Sequence, residues 1–286
     1  MDLAHRGRAD LADAFLAMDL AHRGRADLAD AFVDAYVQAS GDGELRRLLD
    51  FYCCYRAFVR GKVLSLRLHQ SDLLEAEATH LGSEVRAYFD LAWAYAGGLG
   101  GPTLIVTLGL PASGKSTLAE GLAGRLGLVH VSSDLVRKEL AGVHPREHLA
   151  DGFGEGAYSP SRTRRTYAAL RRRAARWLRR GRSVVLDATF GQPQERAAIR
   201  RLAARANARL VVLHCTATED SLRDRLAARS DGTKTGASDA RLDLWPALKA
   251  AFSEPTELAG VQTLDTSKPS EQTLADALAA IQGELA

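Results

Sequence analysis

Two patterns of apolar residues divide the chain. Before residue 97, apolar residues recur at the three- and four-residue spacing of amphipathic helices. After residue 102, short β-branched and aliphatic runs alternate with longer helical stretches, which is the order expected of a parallel sheet covered by helices. The segment GGLGGP (97–102) interrupts both patterns, and we place a domain boundary there. The strands are predicted at 103–108, 128–131, 183–190, 209–215 and 261–264.

The predicted helical domain, residues 1–98, opens with an identical repeat. Residues 1–15 (MDLAHRGRADLADAF) recur letter for letter as residues 18–32. Two identical copies are not the imperfect array that builds a solenoid, and they indicate a recent duplication or an artefact of gene prediction. Two further helices are predicted over 44–68 and 71–96. The first of these carries a broad apolar face that we expect to form core: Leu48, Phe51, Tyr52, Tyr55, Phe58 and Val59.

A phosphate-binding loop follows the first predicted strand. Residues 109–117 (GLPASGKST) fit the pattern G-x-x-x-x-G-K-[ST] at every constrained position. A strand before the motif and a helix over 118–126 after it, closed by Gly127, supply the context that the motif needs. Lys115 is expected to reach the β and γ phosphates, and the Ser116 hydroxyl to ligate Mg²⁺. The predicted nucleotide-binding residues are Gly109, Leu110, Pro111, Ala112, Ser113, Gly114, Lys115, Ser116 and Thr117.

A candidate acceptor site follows the second predicted strand. Asp134 comes just after that strand, at the sheet edge where ligands collect, and we expect it to accept the proton of an attacking hydroxyl group. Arg137 comes three residues later, on a neighbouring turn if a helix begins there, and is expected to hold the acceptor or a phosphate. The alternative is that Asp134 caps the helix N-terminus, a role compatible with catalysis.

Two later segments carry further candidates. Asp187 lies at the carboxyl end of the third predicted strand, and Ala188 occupies the place of the glutamate with which motor ATPases activate water. This favours transfer to a hydroxyl group over hydrolysis. The helical stretch 222–229 places Arg225 and Arg229 on one face, where they either reach a ligand or remain solvated. The segment 230–239 contains two glycines and is predicted to be the moving part.

From about residue 102 onward the chain resembles the P-loop kinases grouped with gluconate kinase, zeta toxin, chloramphenicol phosphotransferase and polynucleotide 5′-kinase. The P-loop and the Asp-x-x-Arg element at 134–137 carry this resemblance. It implies a three-layer α/β P-loop NTPase fold with a five-stranded parallel sheet in the order 2-3-1-4-5, over residues 102–286. The residue roles that it implies are Asp134 as general base, Asp187 and Thr189 on the acceptor side, and Arg225 and Arg229 as a lid pair that closes over ATP.

The helical domain resembles the C-terminal helices of aminoglycoside-phosphotransferase-like domains. Such a domain precedes a P-loop kinase domain in a class of bifunctional bacterial proteins. Segments 15–20 (FLAMDL), 41–42 and 55–60 (YRAFVR) carry the resemblance. The His-Gly-Asp catalytic loop of that fold occurs nowhere in the chain. We therefore predict a truncated remnant, a helical packing module without aminoglycoside phosphotransferase activity.

Charge and composition narrow the choice of partners. The net charge of +3 is too small to argue for nucleic acid by itself. An arginine-rich helix predicted over 162–182 keeps an apolar stripe beneath its charges, so a solvated face is favoured over nucleic-acid contact. Three cysteines without metal or disulfide spacing favour a reducing cytoplasm. Neither a membrane span of about 20 apolar residues nor a signal peptide is predicted.

The sequence thus predicts a cytoplasmic, MgATP-dependent phosphotransferase that uses ATP and Mg²⁺. The γ-phosphate would pass to a hydroxyl group of a small-molecule or nucleotide acceptor. Three alternatives stay open: an ATP-binding regulatory module without an acceptor of its own, a nucleic-acid 5′-hydroxyl kinase, and a truncated relic. The acceptor and the oligomeric state stay open as well.

Overall fold

A computed structural model describes residues 14–70, 73–145, 147, 152, 154–230, 240 and 242–285, except the side chains of 229, 230 and 285. Internal contacts divide the chain into two compact units. One comprises residues 1–100 and 120–129, and the other residues 101–119 and 130–286. The grouping of 120–129 with the first unit is a feature that the sequence did not predict.

The first unit is helical. Helix α1 covers residues 14–22, α2 Ala26–Ser40, α3 Leu45–Arg67 and α4 Glu75–Trp93, and a π turn, Ala94–Gly98, follows α4. The core is built mostly from small and medium-sized side chains, which lets the helices approach closely. Its buried members are Ala14, Ala17, Met18, Ala29, Val33, Leu49, Cys53, Ala57, Tyr88, Leu91 and Ala92.

The predicted core face of α3 is wrong for four of its six residues, whereas Tyr52 is half-buried against the core. Phe51 is 66% exposed, Tyr55 54% and Phe58 52%, and Leu48 is exposed as well. Helix α3 packs on α4, and its buried positions are small or aliphatic. A Cβ on Gly61 would lie 3.1 Å from Cε1 of Phe89. The buried positions of α3 are Leu45, Leu49, Cys53, Ala57 and Gly61.

A five-stranded parallel sheet organises the second unit, and its order, β2-β3-β1-β4-β5, is the predicted one. Strand β1 pairs with β3 so that Thr107 lies opposite Asp187, which places this carboxylate next to the end of β1. Strand β3 ends at Asp187, earlier than predicted, and the chain takes a positive φ of 44° at Phe190. The strands are β1 Thr103–Leu108, β2 Val129–Ser132, β3 Val184–Asp187, β4 Arg209–Thr216 and β5 Val261–Asp265.

The helices follow the strands in alternation, which confirms the α/β P-loop fold. Helix α5 begins at Lys115 rather than at residue 118, so the phosphate-binding lysine lies in its first turn. Proline occupies the first turn of α7 and of α8, a favoured start signal, although α8 was not predicted. The helices are α5 Lys115–Leu126, α6 Ser133–Ala141, α7 Pro160–Leu178, α8 Pro193–Arg205, α9 Glu219–Ser230, α10 Trp245–Ala250 and α11 Ser270–Leu285.

Within the described part of the chain, none of the helices combines the length and the apolar character that crossing a membrane requires. The three cysteines are free thiols, and Cys53 and Cys215 are buried.

Candidate active site

The P-loop is held so tightly by its neighbours that two of its glycines cannot be replaced without strain. A Cβ on Gly109 would lie 2.3 Å from the carbonyl oxygen of Cys215, and its φ is 142°. Gly114 has φ 77°, and a Cβ there would lie 3.3 Å from Cβ of Thr266. Ala112 takes φ 64°, a value rare outside glycine. The ends of β4 and β5 therefore fix the loop from outside.

Two polar side chains of the loop are buried, and one of them has no hydrogen-bond partner among the described residues. Lys115 is only 8% exposed, and its Nζ donates to the carbonyl oxygen of Leu110 at 2.6 Å. Ser113 is buried, and its Oγ has no hydrogen-bond partner among the described residues. Because buried hydroxyl groups are normally hydrogen-bonded, we expect a polar ligand next to Ser113, and a phosphate oxygen would accept its hydrogen bond. The glycine cradle and this hydroxyl fit the phosphates of ATP.

Asp187 is the buried carboxylate nearest the loop. Its Oδ2 lies 3.7 Å from Nε2 of His130, which is in β2. Burial by itself raises the pKa of this carboxyl group, but the neighbouring side chains of His130 and Ser116 and the positive charge of Lys115 outweigh burial, and the pKa is lowered. Asp187 is therefore an anion beside the Ser116 hydroxyl, and both are oxygen donors of the kind that Mg²⁺ takes.

Helix α6 carries both predicted acceptor residues. Its N-cap position is Ser132, so the alternative in which Asp134 caps the helix is wrong. Asp134 lies half-buried in the first turn, and Arg137 follows one turn later on the same helix, as predicted. The Arg137 guanidinium lies 4.4 Å from the Tyr158 ring centre, and its Nη1 donates to the carbonyl oxygen of Ala157 at 2.9 Å.

Tyr167 of α7 contacts the loop after β3. Burial raises the pKa of Tyr167 to about 12, and its hydroxyl accepts a hydrogen bond from the Phe190 amide at 3.1 Å. Arg137 and Asp134 are close enough to Tyr167 to influence this pKa. In the same loop, the carbonyl oxygen of Thr189 accepts a hydrogen bond from the Gly109 amide at 3.3 Å. The loop after β3 thus contacts both Tyr167 and the P-loop.

Arg225 braces the P-loop. Its Nη1 donates to the carbonyl oxygen of Ala112 at 3.2 Å, and its Nη2 to the carbonyl oxygen of Thr266 at 2.6 Å. The side chain of Arg229 and the predicted moving residues 231–239 lie outside the described part of the chain. Of the remaining P-loop candidates, Pro111 is buried, Leu110 is half-buried, and Ser116 and Thr117 are exposed.

Several residues around the site were missed by sequence reasoning. His130 is in a predicted strand, but nothing in the sequence shows that it faces Asp187. Thr266 packs on Gly114 and donates from its Oγ1 to the carbonyl oxygen of Thr216 at 3.0 Å. Trp245 completes an apolar cluster beneath the loop with Ala112 and residues of α9. Of these residues, only Thr266 could have been suspected from the sequence, because it directly follows the last predicted strand.

Solved structures with a similar fold include a gluconokinase from Sinorhizobium meliloti. It is 20% identical, and the match covers 64% of this chain and 94% of that one with a TM-score of 0.47. An APS kinase from Mycobacterium tuberculosis, solved in complex with AMPPNP and APS, is 16% identical, and the match covers 64% of this chain and 98% of that one with a TM-score of 0.47.

Two curated relatives are uncharacterised proteins of Mycobacterium bovis and Mycobacterium tuberculosis. Each is 37% identical to this chain over 277 residues, which is 97% of this chain and 49% of the relative. The chain therefore spans about half the length of these curated relatives.

A sequence profile described as an AAA domain matches residues 104–255, which is more than half of the chain. The matched region begins in β1 and includes the P-loop, Asp134, Asp187 and α9. The chain therefore belongs to the AAA domain family.

Proposed function

We propose that this chain is an MgATP-dependent phosphotransferase that moves the γ-phosphate of ATP to a hydroxyl group of a small-molecule or nucleotide acceptor. The observation that carries the proposal is the position of Asp187, which lies beside Lys115 and Ser116 and 3.7 Å from His130 of β2. Asp187 is the last residue of β3, and His130 belongs to the neighbouring strand β2. Helix α6, with Asp134 in its first turn, starts directly after β2, which supports an acceptor site next to the phosphates.

On the nucleotide side, the P-loop amides and the Ser113 hydroxyl would bind phosphate oxygens. When ATP binds, the Lys115 ammonium group would leave the Leu110 carbonyl oxygen and bind the β and γ phosphates, because a charged phosphate attracts it more strongly than a neutral carbonyl group does. Ser116 and Asp187 would hold Mg²⁺, which offsets phosphate charge when it is bound. This assignment moves Asp187 from the acceptor side, where the family resemblance put it, to the metal side.

On the acceptor side, Asp134 would hold the hydroxyl group and take its proton. The oxygen–phosphorus bond to the acceptor forms while the bond between the γ-phosphorus and the bridging oxygen of ADP breaks, and the proton ends on the Asp134 carboxylate. Arg137, one turn further along α6, would hold the acceptor. Phosphoryl transfer depends mainly on positioning and charge, which these fixed residues supply.

The lid arginines keep separate roles in this proposal. Arg225 already contacts the P-loop carbonyl of Ala112, so it would hold the loop in shape around the nucleotide. Arg229, one turn later on α9, would close over ATP and bring positive charge to the transferred group. Arginines that act in this way contribute about 10³- to 10⁵-fold in rate in other phosphotransfer enzymes.

The test is MgATP consumption across a panel of hydroxyl compounds, measured for the wild type, Lys115→Met and Asp134→Asn. We expect at least one compound to raise turnover well above the basal rate, and both substitutions to lower that turnover at least about 10²-fold. Asp224→Asn, which changes an exposed carboxylate of α9, is the matched control and should retain activity.

ATP binding to each variant separates the two roles. Asp134→Asn should bind ATP as the wild type does, whereas Lys115→Met should bind it weakly. If the wild type binds ATP, no compound raises turnover and Asp134→Asn changes nothing, the proposal is wrong and an ATP-binding regulatory module becomes the better account.

A further inference from the structure

A small cavity between α6 and α7 is lined by three arginines. Its volume is about 80 Å³, which leaves room for a carboxylate or phosphate group. We call it the arginine cavity. Helix α6 contributes Arg137, Leu140 and Ala141 to its walls, and the first turns of α7 contribute Arg162, Arg165 and Thr166. No described carboxylate lines it.

Among the residues that the structure describes, no carboxylate pairs with the two arginines at the rim of this cavity. Further along α7, Arg171 pairs with Glu195, and Arg173 pairs with Glu139. Arg162 and Arg165, in contrast, are exposed and make no ion pair with any residue that the structure describes. Two exposed guanidinium groups at the rim attract an anion by charge and by hydrogen bonding.

The floor of the cavity carries a second, independent sign of a ligand. Arg137 is only 8% exposed, and its Nε has no hydrogen-bond partner in the described part of the chain. Its Nη1 is already engaged with the carbonyl oxygen of Ala157 and, at 3.4 Å, with Oγ1 of Thr163. A buried guanidinium N–H without an acceptor costs free energy, which an anionic oxygen would recover.

The cavity lies along α6 from Asp134. A helix rises about 1.5 Å per residue, so Arg137 stands about 4.5 Å and Ala141 about 10 Å further along the axis than Asp134. A molecule of a few carbon atoms spans that distance, with its hydroxyl group at one end and its anionic group at the other. The aliphatic walls, Leu140 and Ala141, suit a short carbon chain between them.

We propose that the arginine cavity binds the carboxylate or phosphate group of a small hydroxylated acceptor. The acceptor class is thus a hydroxy acid or a phosphate ester of a polyol, not a neutral sugar. The role as an acceptor site rests on the proposed phosphotransferase activity. The binding of an anion by these arginines does not, so the two can be tested separately.

The first experiment measures anion binding without catalysis. The P-loop is saturated with Mg²⁺ and a non-hydrolysable ATP analogue, and inorganic phosphate or D-glycerate is then titrated by calorimetry. We expect Arg162→Gln/Arg165→Gln to weaken binding about tenfold or more. The control, Arg172→Gln/Arg176→Gln, removes two exposed arginines from the same helix outside the cavity and should bind as the wild type does. Equal affinity in wild type and Arg162→Gln/Arg165→Gln, or no binding to the wild type, would overturn the proposal.

The second experiment compares matched acceptors: glycerate with glycerol, gluconate with sorbitol, and glycerol phosphate with glycerol. We expect the anionic member of at least one pair to have the higher kcat/KM. Arg162→Gln/Arg165→Gln should then raise its KM about tenfold while kcat stays within about twofold. The carboxylate and phosphate pairs distinguish the two kinds of anion.

The outcomes separate the two proposals. A neutral acceptor that is used as well as its anionic counterpart, with no effect of Arg162→Gln/Arg165→Gln, overturns the acceptor class and leaves the phosphotransferase standing. If no compound is turned over but phosphate binding depends on Arg162 and Arg165, the phosphotransferase fails and the anion site stands.

Discussion

Gly109 has no room for a side chain, because even the methyl group of alanine would collide with the backbone of a neighbouring strand. The Cβ of an alanine there would lie 2.3 Å from the carbonyl oxygen of Cys215, and a φ of 142° is itself unfavourable for any side chain. Gly181 offers a matched comparison, because its φ is 78° but nothing lies within 4 Å of the Cβ position. These two glycines separate the cost of backbone conformation from the cost of a collision.

We expect Gly181→Ala to cost about 1 kcal/mol in free energy of unfolding, which is the left-handed backbone alone. Gly109→Ala should cost about 1–3 kcal/mol more and should also weaken ATP binding, because the loop must move. Chemical denaturation and nucleotide titration measure the two effects. Equal stability of the two variants would show that the P-loop moves to accommodate the methyl group at no cost in free energy, which would contradict the prediction.

Tyr167 should make the stability of the protein depend on alkaline pH. Its pKa is raised from 10.0 to about 12 in the fold, so between these values the unfolded chain loses the proton while the native one keeps it. Native stability therefore falls by about 2–3 kcal/mol on account of this group as pH rises from 10 to 12. Tyr167→Phe should remove that part of the decline, as denaturation curves at several pH values will show. An identical decline in the variant would contradict the assignment.

At the scale of elements, one buried arginine anchors α8. Arg196 is among the most deeply buried side chains, and it donates to the carbonyl oxygens of Phe190 and Ser253, both at 2.8 Å. It also pairs with the Glu257 carboxylate through Nε at 2.5 Å. The loop after β3 and the segment before β5 are thereby joined to one helix.

Arg196→Met should therefore lower the free energy of unfolding by about 2–4 kcal/mol, because buried carbonyl groups lose their donors. Arg200→Met, one turn along the same helix and exposed, should change it by less than about 0.5 kcal/mol. Urea unfolding of the two variants gives the comparison. A loss of similar size in both would indicate a general effect of charge.

Helix α3 provides a test of which of its faces is core. Leu49 is buried and Phe51 is 66% exposed, although both belong to the same helix. Leu49→Ala should cost about 2–4 kcal/mol in free energy of unfolding, whereas Phe51→Ser should change it by less than about 0.5 kcal/mol. A large loss of unfolding free energy in Phe51→Ser would instead show that the aromatic face of α3 belongs to the core.

At the scale of the whole molecule, nucleotide binding should couple to stability. A ligand that binds only the native state adds about 2.7 kcal/mol when it is present at 100 times its Kd. MgATP above its Kd should therefore raise the Tm of the wild type with the logarithm of its concentration, and should raise that of Lys115→Met much less at the same concentration. Thermal scans with and without MgATP measure the shift. Equal shifts in both proteins would place the nucleotide elsewhere.

We expect catalysis from the second unit and a packing role for the helical residues of the first. The proposed chemistry lies within the second unit, residues 101–119 and 130–286. That the helical residues 1–98 are a packing module and the remnant of a larger domain stays a prediction. The curated relatives are about twice as long as this chain, so the activity of the whole protein is likewise a proposal.

Much of the second unit follows from local sequence. Residues 109–117 predict a phosphate loop because few sequences can place consecutive amides toward an anion. The strand order was implied by the family resemblance, and the observed order agrees with it. Short buried strands are apolar throughout, so their positions could be predicted within a few residues. Asp134 and Arg137 could be placed on one helix because spacing alone determines neighbours there.

Contacts between distant segments were decided only by the tertiary structure. Nothing local shows that His130 faces Asp187, that Arg225 holds the P-loop, or that Arg162 borders a cavity floored by Arg137. Phe51, Tyr55 and Phe58 of α3 were wrong as core predictions for the same reason, because burial depends on which element packs against a helix. A sequence determines periodicity and local geometry, whereas the partner of each face is determined by the whole chain folding together.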